Sequence, residues 1–285
     1  MASGEQQKGL RTLTWDELEP WQQDNHFIIR GYRAATNSYG RSLQSLAHIH
    51  NQTVNIWSHL LGAVAFVAAA FLLHQQLRQA LQFDLVLFGV FFAGLLACLT
   101  LSSAFHTFGN HSEVIRQCFL LGDLAGIILL TMTSFYPGVY YGFYCEPAIA
   151  RFYWAMITIF GIGALIVCLL PQCQRKPWRH VRTAILISMG LSGVVPMTHA
   201  AQRFGVHQAG LQMGWDWYVG EGIFYVLGAI IYVNKVPEKW KPGYFDIWGS
   251  SHQIFHACVL IGAWCHLNGV VKAFKYNHDP QTMRC

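Results

Sequence analysis

The sequence predicts an all-α integral membrane protein of seven transmembrane helices, with a cytosolic N-terminus and an extracytosolic C-terminus. Three observations lead there. Of 285 residues, 53% are hydrophobic and only 12% are charged, about half the charged share of an ordinary soluble protein. Seven stretches reach or approach the roughly 20 apolar residues that a helix needs to cross hydrocarbon. Lys and Arg gather on alternate loops, which sets orientation.

Residues 1–52 read as a cytosolic N-terminal segment. Its first 11 residues are polar, with no apolar core of a signal peptide. Residues 42–49 suit a short amphipathic helix at the interface, just before the first span. The membrane domain covers 53–271, with spans at 54–73, 85–108, 117–138, 152–173, 183–201, 215–234 and 250–271. Five of these contain no Asp, Glu, Lys or Arg, and the third contains only Asp123. The sixth is the weakest, carrying Asp216 and Glu221 near its start. Pro137-Gly138 marks a bend or the outer end of the third span. Pro196 should bend the fifth, because proline removes a backbone donor. Residues 272–285 form an extracytosolic tail.

Five basic residues precede the first span: Lys8, Arg11, Arg30, Arg33 and Arg41. Loops on the same side add Arg116, then Arg175, Lys176, Arg179 and Arg182, then Lys235, Lys239 and Lys241, for 13 of the 19. The excess places the N-terminus in the cytosol, the reverse of G-protein-coupled receptors. The formal charge of +5 lies mostly outside the apolar stretches, pointing to anionic lipid headgroups and not to nucleic acid. Eight cysteines include no Cys-x-x-Cys, and five fall inside apolar stretches. Neither a sulfur-based zinc site nor a disulfide framework is expected.

With this topology, zinc-type ligands from three spans meet in the cytosolic third of the membrane. His106 lies two residues from the inner end of the second span, and Ser102 one turn deeper, about 6 Å away. Asp123 lies about two turns into the third. His252 and His256, four apart at the start of the seventh, share one helical face. Ionisable groups in hydrocarbon need partners, and a metal gives these one in common. Three neutral imidazoles suit Zn2+ and leave a fourth position for water, the mark of a catalytic centre. Asp123 then serves as general base or orients the water, and Ser102 binds a carbonyl oxygen. Taken singly, each residue has a plainer reading: a lone intramembrane His as an interhelical hydrogen bond, Ser102 as a hydroxyl back-bonded to its own helix. Depth excludes His199 and His266. His59 and His111 remain substitutes for any misassigned ligand.

The same residues carry a resemblance. Asp24-Asn25, Gly31-Tyr32-Arg33, the run from His50 to Leu60 (HNQTVNIWSHL), Ser102-x-x-x-His106, His111-Ser112, Asp123-x-x-Gly126, Phe245-Asp246-Ile247-Trp248 and Ser251-His252-Gln253-Ile254-Phe255-His256 resemble the progestin and adiponectin receptor (PAQR) family, which includes hemolysin-III-like and fungal zinc-homeostasis proteins. The resemblance covers most of the chain. It implies a seven-helix fold with a cytosolic N-terminus and zinc near the cytosolic leaflet. It also implies His106, His252 and His256 as ligands, with Asp123 and Ser102 beside them, and ceramidase-type activity. The N-terminal segment is shorter than in adiponectin receptors.

Two functions remain open on this reading. One is a zinc hydrolase that cleaves a lipid amide, a ceramide-like substrate, in the plasma membrane or endoplasmic reticulum. The other is a receptor for an extracellular ligand, in which zinc is structural. The fourth zinc position separates them: water for the hydrolase, a protein ligand such as His59 or His111 for the receptor. A zinc transporter fits less well, since the outer half offers only His199 and His266.

Overall fold

The structure, a computed structural model, describes residues 11–77, 80–170 and 178–281. Its N-terminal segment pairs two short antiparallel strands, β1 (Leu13–Thr14) and β2 (Arg30–Tyr32), before a helix α1 (Tyr39–Gln44). Then follow α2 (Thr53–Gln76), α3 (Gln82–Phe108), α4 (Glu113–Gly142) and α5 (Pro147–Leu169). Next come α6 (Arg179–Leu191), α7 (Val194–Phe204), α8 (Val206–Gln212), α9 (Trp215–Asn234) and α10 (Ser251–Asn277).

Among the described residues, six stretches are long and apolar enough to cross a membrane: Thr53–Gln76, Gln82–Phe108, Glu113–Gly142, Pro147–Leu169, His180–Phe204 and Ser251–Asn277. The expected sixth span does form a helix, the 20-residue α9. It is not among those six apolar stretches. Large aliphatic and aromatic side chains lie exposed along α2 (Leu61, Val64, Val67, Phe71) and α5 (Phe152, Ile159, Ile162, Ile166). Water would not tolerate such faces on a soluble chain; hydrocarbon does. The protein is a multi-pass integral membrane protein.

Local deviations have local causes. The fifth span does not merely bend but divides, α6 ending at Leu191 and α7 starting at Val194. Pro196 has no N–H for the Ser192 carbonyl four residues earlier, and its ring crowds that carbonyl. Pro137 sits inside α4, which continues to Gly142. Where a helix was expected at 42–49, α1 begins earlier and ends at Gln44, and only a 3-10 turn at Ser45–Ala47 follows. The strand pair was not expected. No disulfide framework was expected, yet Cys145 is disulfide-bonded. Cys145 stands just past α4, in a loop and not in an apolar span, so the packing argument for cysteines never applied to it.

By its contacts the chain divides into two units. The first comprises residues 1–63, 99–123 and 227–260. Polar anchors hold it. Glu238, fully buried, accepts from Asn25 Nδ2 (3.0 Å), from the Ser251 N–H (2.7 Å) and from the Ser251 hydroxyl. Its charge meets the N-terminus of α10, where the helix dipole favours an anion. Asp246 accepts the Ile29 and Arg30 N–H groups at 2.8 and 3.1 Å. The second unit comprises 64–98, 124–226 and 261–285. It contains an apolar cluster of Ile128, Ile157, Ala164, Cys168 and Met189. Buried Asp84 accepts the Tyr141 hydroxyl at 2.7 Å and contacts His278 at 2.9 Å.

Candidate metal centre

The first unit brings His106, His252 and His256 together. One nitrogen from each lies within 4.8 Å of the others. His106 ends α3; His252 and His256 lie one turn apart at the start of α10, so their rings share a face. The His106 and His256 side chains are buried.

The residues around the triad fix which nitrogens converge. Gln52 Oε1 accepts from Asn55 Nδ2 at 2.8 Å, so that atom is the carbonyl oxygen. It lies 2.7 Å from His106 Nδ1, which must therefore be the donor. His106 Nε2 is left with its lone pair. His256 repeats the pattern. The Ser58 hydroxyl donates to the Asn55 carbonyl (3.2 Å), and its oxygen faces His256 Nδ1 at 3.4 Å. Such partners set tautomer and ring orientation at metal sites. His106 Nε2 and His252 Nε2 lie 3.1 Å apart. Two ring nitrogens at that distance need a hydrogen or a cation between them. The edge of a tetrahedron of nitrogens around zinc measures about 3.3 Å. The triad fits a metal ion.

Ser102 stands one turn before His106 on the same face of α3 and is 3% exposed. Its hydroxyl bonds the carboxylate of Asp123, which is half-buried on α4. Asp123 stays outside the nitrogen cluster. A buried arginine holds the end of α3. Arg33 donates to the Thr107 carbonyl (2.9 Å), to the Ser45 hydroxyl (2.8 Å) and to the His106 carbonyl. A cation at a helix C-terminus is favourable. Burial lowers its pKa to about 9, which leaves it charged at neutral pH. Burial, with the Arg33 charge second, pushes His50 down to about 3, so this ring is neutral. Its Nδ1 accepts the Gln52 N–H at 3.1 Å, holding the turn from which Gln52 reaches His106.

All five expected site residues thus belong to one unit. The two substitutes do not join the triad. His59 stacks on the His256 ring, centroids 3.8 Å apart, with neither nitrogen in the cluster. His111 contacts Ser112 (3.1 Å) and the Tyr39 ring. The two excluded histidines have their own partners: His199 Nδ1 with the Tyr153 hydroxyl (2.8 Å), and His266 with Glu221 (2.9 Å). The supporting residues Gln52, Asn55, Ser58, Arg33 and Glu238 were missed as site residues. A signal existed for three: Gln52, Asn55 and Ser58 recur every three residues where an apolar helix begins.

The haemolysin-III-related family model matches residues 47–267. A progestin and adipoQ receptor-like protein of Caenorhabditis elegans is 40% identical over 263 residues, covering 91% of this chain and 60% of the relative. The adiponectin receptor protein of Drosophila melanogaster is 38% identical, covering 92% of this chain and 59% of the relative. The ADIPOR-like receptor IZH2 of Saccharomyces cerevisiae is 36% identical over 276 residues, covering 95% and 87% respectively. The chain therefore spans about three-fifths of the two animal relatives and most of the yeast one. With the buried histidine triad at its centre and these relatives along most of its length, the chain belongs to the haemolysin-III-related family of adiponectin-receptor-like (PAQR) membrane proteins.

Proposed function

We propose that His106, His252 and His256 hold Zn2+ and that the centre hydrolyses a lipid amide of the ceramide class. The observation that carries this reading is the convergence of three ring nitrogens within 4.8 Å, beside a hydrogen-bonded Ser102–Asp123 pair. When bound, the ion would supply a Lewis acid that polarises a carbonyl and makes water acidic. The chain's own groups do the rest. The Asp123 carboxylate accepts the proton of the attacking water and returns it to the departing amide nitrogen as the C–N bond breaks. The products are a fatty acid and a free amine. The Ser102 hydroxyl, held toward Asp123, turns to donate to the carbonyl oxygen as negative charge grows there. Gln52 and Ser58 keep the His106 and His256 rings from rotating.

The reading includes seven spans, with α9 as the sixth. Twenty residues rise about 30 Å, the thickness of the hydrocarbon, and the Glu221 carboxylate inside has His266 as partner. It also includes a cytosolic N-terminus. Support comes from the 13 basic residues on that side and from the disulfide at Cys145, which belongs on an oxidising face. The lipid would enter sideways from the inner leaflet.

The test is amide turnover by purified protein with a ceramide in detergent. Wild type should release fatty acid. Asp123→Ala should lose about 10²–10⁴-fold in rate while keeping its metal, the range for a lost general base. Equal release by the two proteins ends the hydrolase reading. A second reading, a receptor with structural zinc, draws on the receptor names of the relatives and on the His59 ring against His256. X-ray absorption separates the two: three nitrogens and one oxygen for the hydrolase, four nitrogens for the receptor.

A further inference from the structure

In the second unit, α9 and α10 pack through a repeated device. A Cβ at Gly262 would lie 2.2 Å from the Tyr225 ring, and one at Gly269 would lie 2.7 Å from the Tyr218 ring. Two glycines seven residues apart on α10 thus seat two tyrosines seven apart on α9, in antiparallel register. Either glycine replaced by any other residue would push its ring out. These seats place the tyrosines among helices, yet neither hydroxyl has a hydrogen-bond partner among the described residues, and both oxygens are buried.

Between them on the same face of α9 lies Glu221, three residues after Tyr218 and four before Tyr225. His266 Nδ1 is 2.9 Å from Glu221 Oε2 and donates to it. His266 stacks on the Tyr218 ring at 5.1 Å and lies tilted against Phe91 at 4.8 Å. Its Nε2 is also buried without a partner. The row therefore presents two hydroxyls able to donate and one ring nitrogen able to accept. Three orphaned polar atoms in two turns of helix are costly, since each buried group left unpaired forfeits its hydration.

We propose that this row is a second binding site, distinct from the histidine triad, that takes neutral hydroxylic groups. Such a group accepts from a tyrosine hydroxyl and donates to His266 Nε2, which neither an anion nor a cation can do. The occupant is water, or the hydroxyl of a lipid. Glu221 already has His266 Nδ1 as its hydrogen-bond partner.

Conservative variants test it. Tyr218→Phe and Tyr225→Phe keep the rings in their glycine seats and remove only the oxygens. Removing a hydroxyl that truly has no partner is neutral or stabilising. Removing one that holds an occupant destabilises. We expect each variant to lower the thermal midpoint of the full-length protein by about 2–4 °C. In delipidated detergent, infrared bands of internal water, identified by exchange into H2¹⁸O, should weaken in the variants if water is the occupant. If a lipid is the occupant, the midpoint loss appears only with added 1-dodecanol, and native mass spectrometry shows dodecanol bound to wild type but not to the variants. Unchanged or raised midpoints in both conditions overturn the proposal. So does a lowered midpoint with neither water bands nor bound dodecanol altered, because the hydroxyls then have partners within the protein. No outcome depends on metal or on amide turnover, so the reading of the triad stands or falls separately.

Discussion

The protein buries imidazoles in both of its units, and the two sets differ in what faces them. In the first, His106 and His256 have Nδ1 turned toward neutral oxygens of Gln52 and Ser58, and the triad's remaining nitrogens converge. In the second, His266 has Nδ1 on a carboxylate, stacks on Tyr218 and lies against Phe91. Burial is common to both, so burial does not identify a cation site. Convergence of lone pairs does.

The comparison can be broken most directly by metal analysis. His252→Ala should drop the zinc content of purified protein from about one per chain to near zero, whereas His266→Ala should leave it unchanged. If both variants lose metal, the distinction between the sets fails.

Next in size is the anchor at the end of α3. Arg33→Leu leaves the His106 and Thr107 carbonyls and the Ser45 hydroxyl without their donor. A loss of about 3 kcal/mol is expected, from the cost of orphaned buried partners of a charged donor. Denaturation in mixed micelles would measure it. A loss below about 0.5 kcal/mol would show that water replaces the guanidinium.

A sharper probe is Gln52→Leu, which removes the acceptor that holds His106 Nδ1. Metal affinity should weaken by about 10–100-fold, as for other lost outer partners, with little effect on folding. Competition against a zinc chelator reads this out. The same measurement on Glu221→Gln should show no change.

The smallest effect concerns pH. His50 is depressed to about 3 when folded, chiefly by burial, against about 6.5 when unfolded. Between those values the unfolded chain binds the extra proton, so stability is full above about pH 6.5 and falls as the pH drops. The slope is at most about 1.4 kcal/mol per pH unit. His50→Asn keeps an acceptor for the Gln52 N–H, since Asn forms the same local turn, and removes the titration. Thermal midpoints of the metal-loaded variant should flatten between pH 6.5 and 4.5 relative to wild type. Parallel curves would assign the acid sensitivity elsewhere.

How much of this was written in the chain differs by kind of interaction. The spans were legible because hydrocarbon selects on composition, and the helices start and stop within a few residues of the apolar runs. The triad was legible too, because His252 and His256 are spaced for one helical face and His106 falls at matching depth. The division at Ser192-Gly193 was only half legible: Pro196 announces trouble, but whether a helix bends or divides depends on what packs around it. The polar supports were not legible. Glu238 meets Asn25 across 213 residues of sequence, and Arg33 reaches carbonyls some 73 residues away. No local pattern encodes such pairings. The disulfide at Cys145 was not legible, because nothing local marks the partner of a loop cysteine.

Glu238 has a practical consequence for anyone handling this protein. One carboxylate fastens Asn25 to the first residue of the helix that displays two of the three imidazoles. The amino-terminal stretch is therefore scaffolding and not a tether. A fusion or trimming that stops ahead of β1 (Leu13–Thr14) leaves these anchors in place, whereas one that removes Asn25 would loosen the floor on which His252 stands. Tags belong ahead of that point.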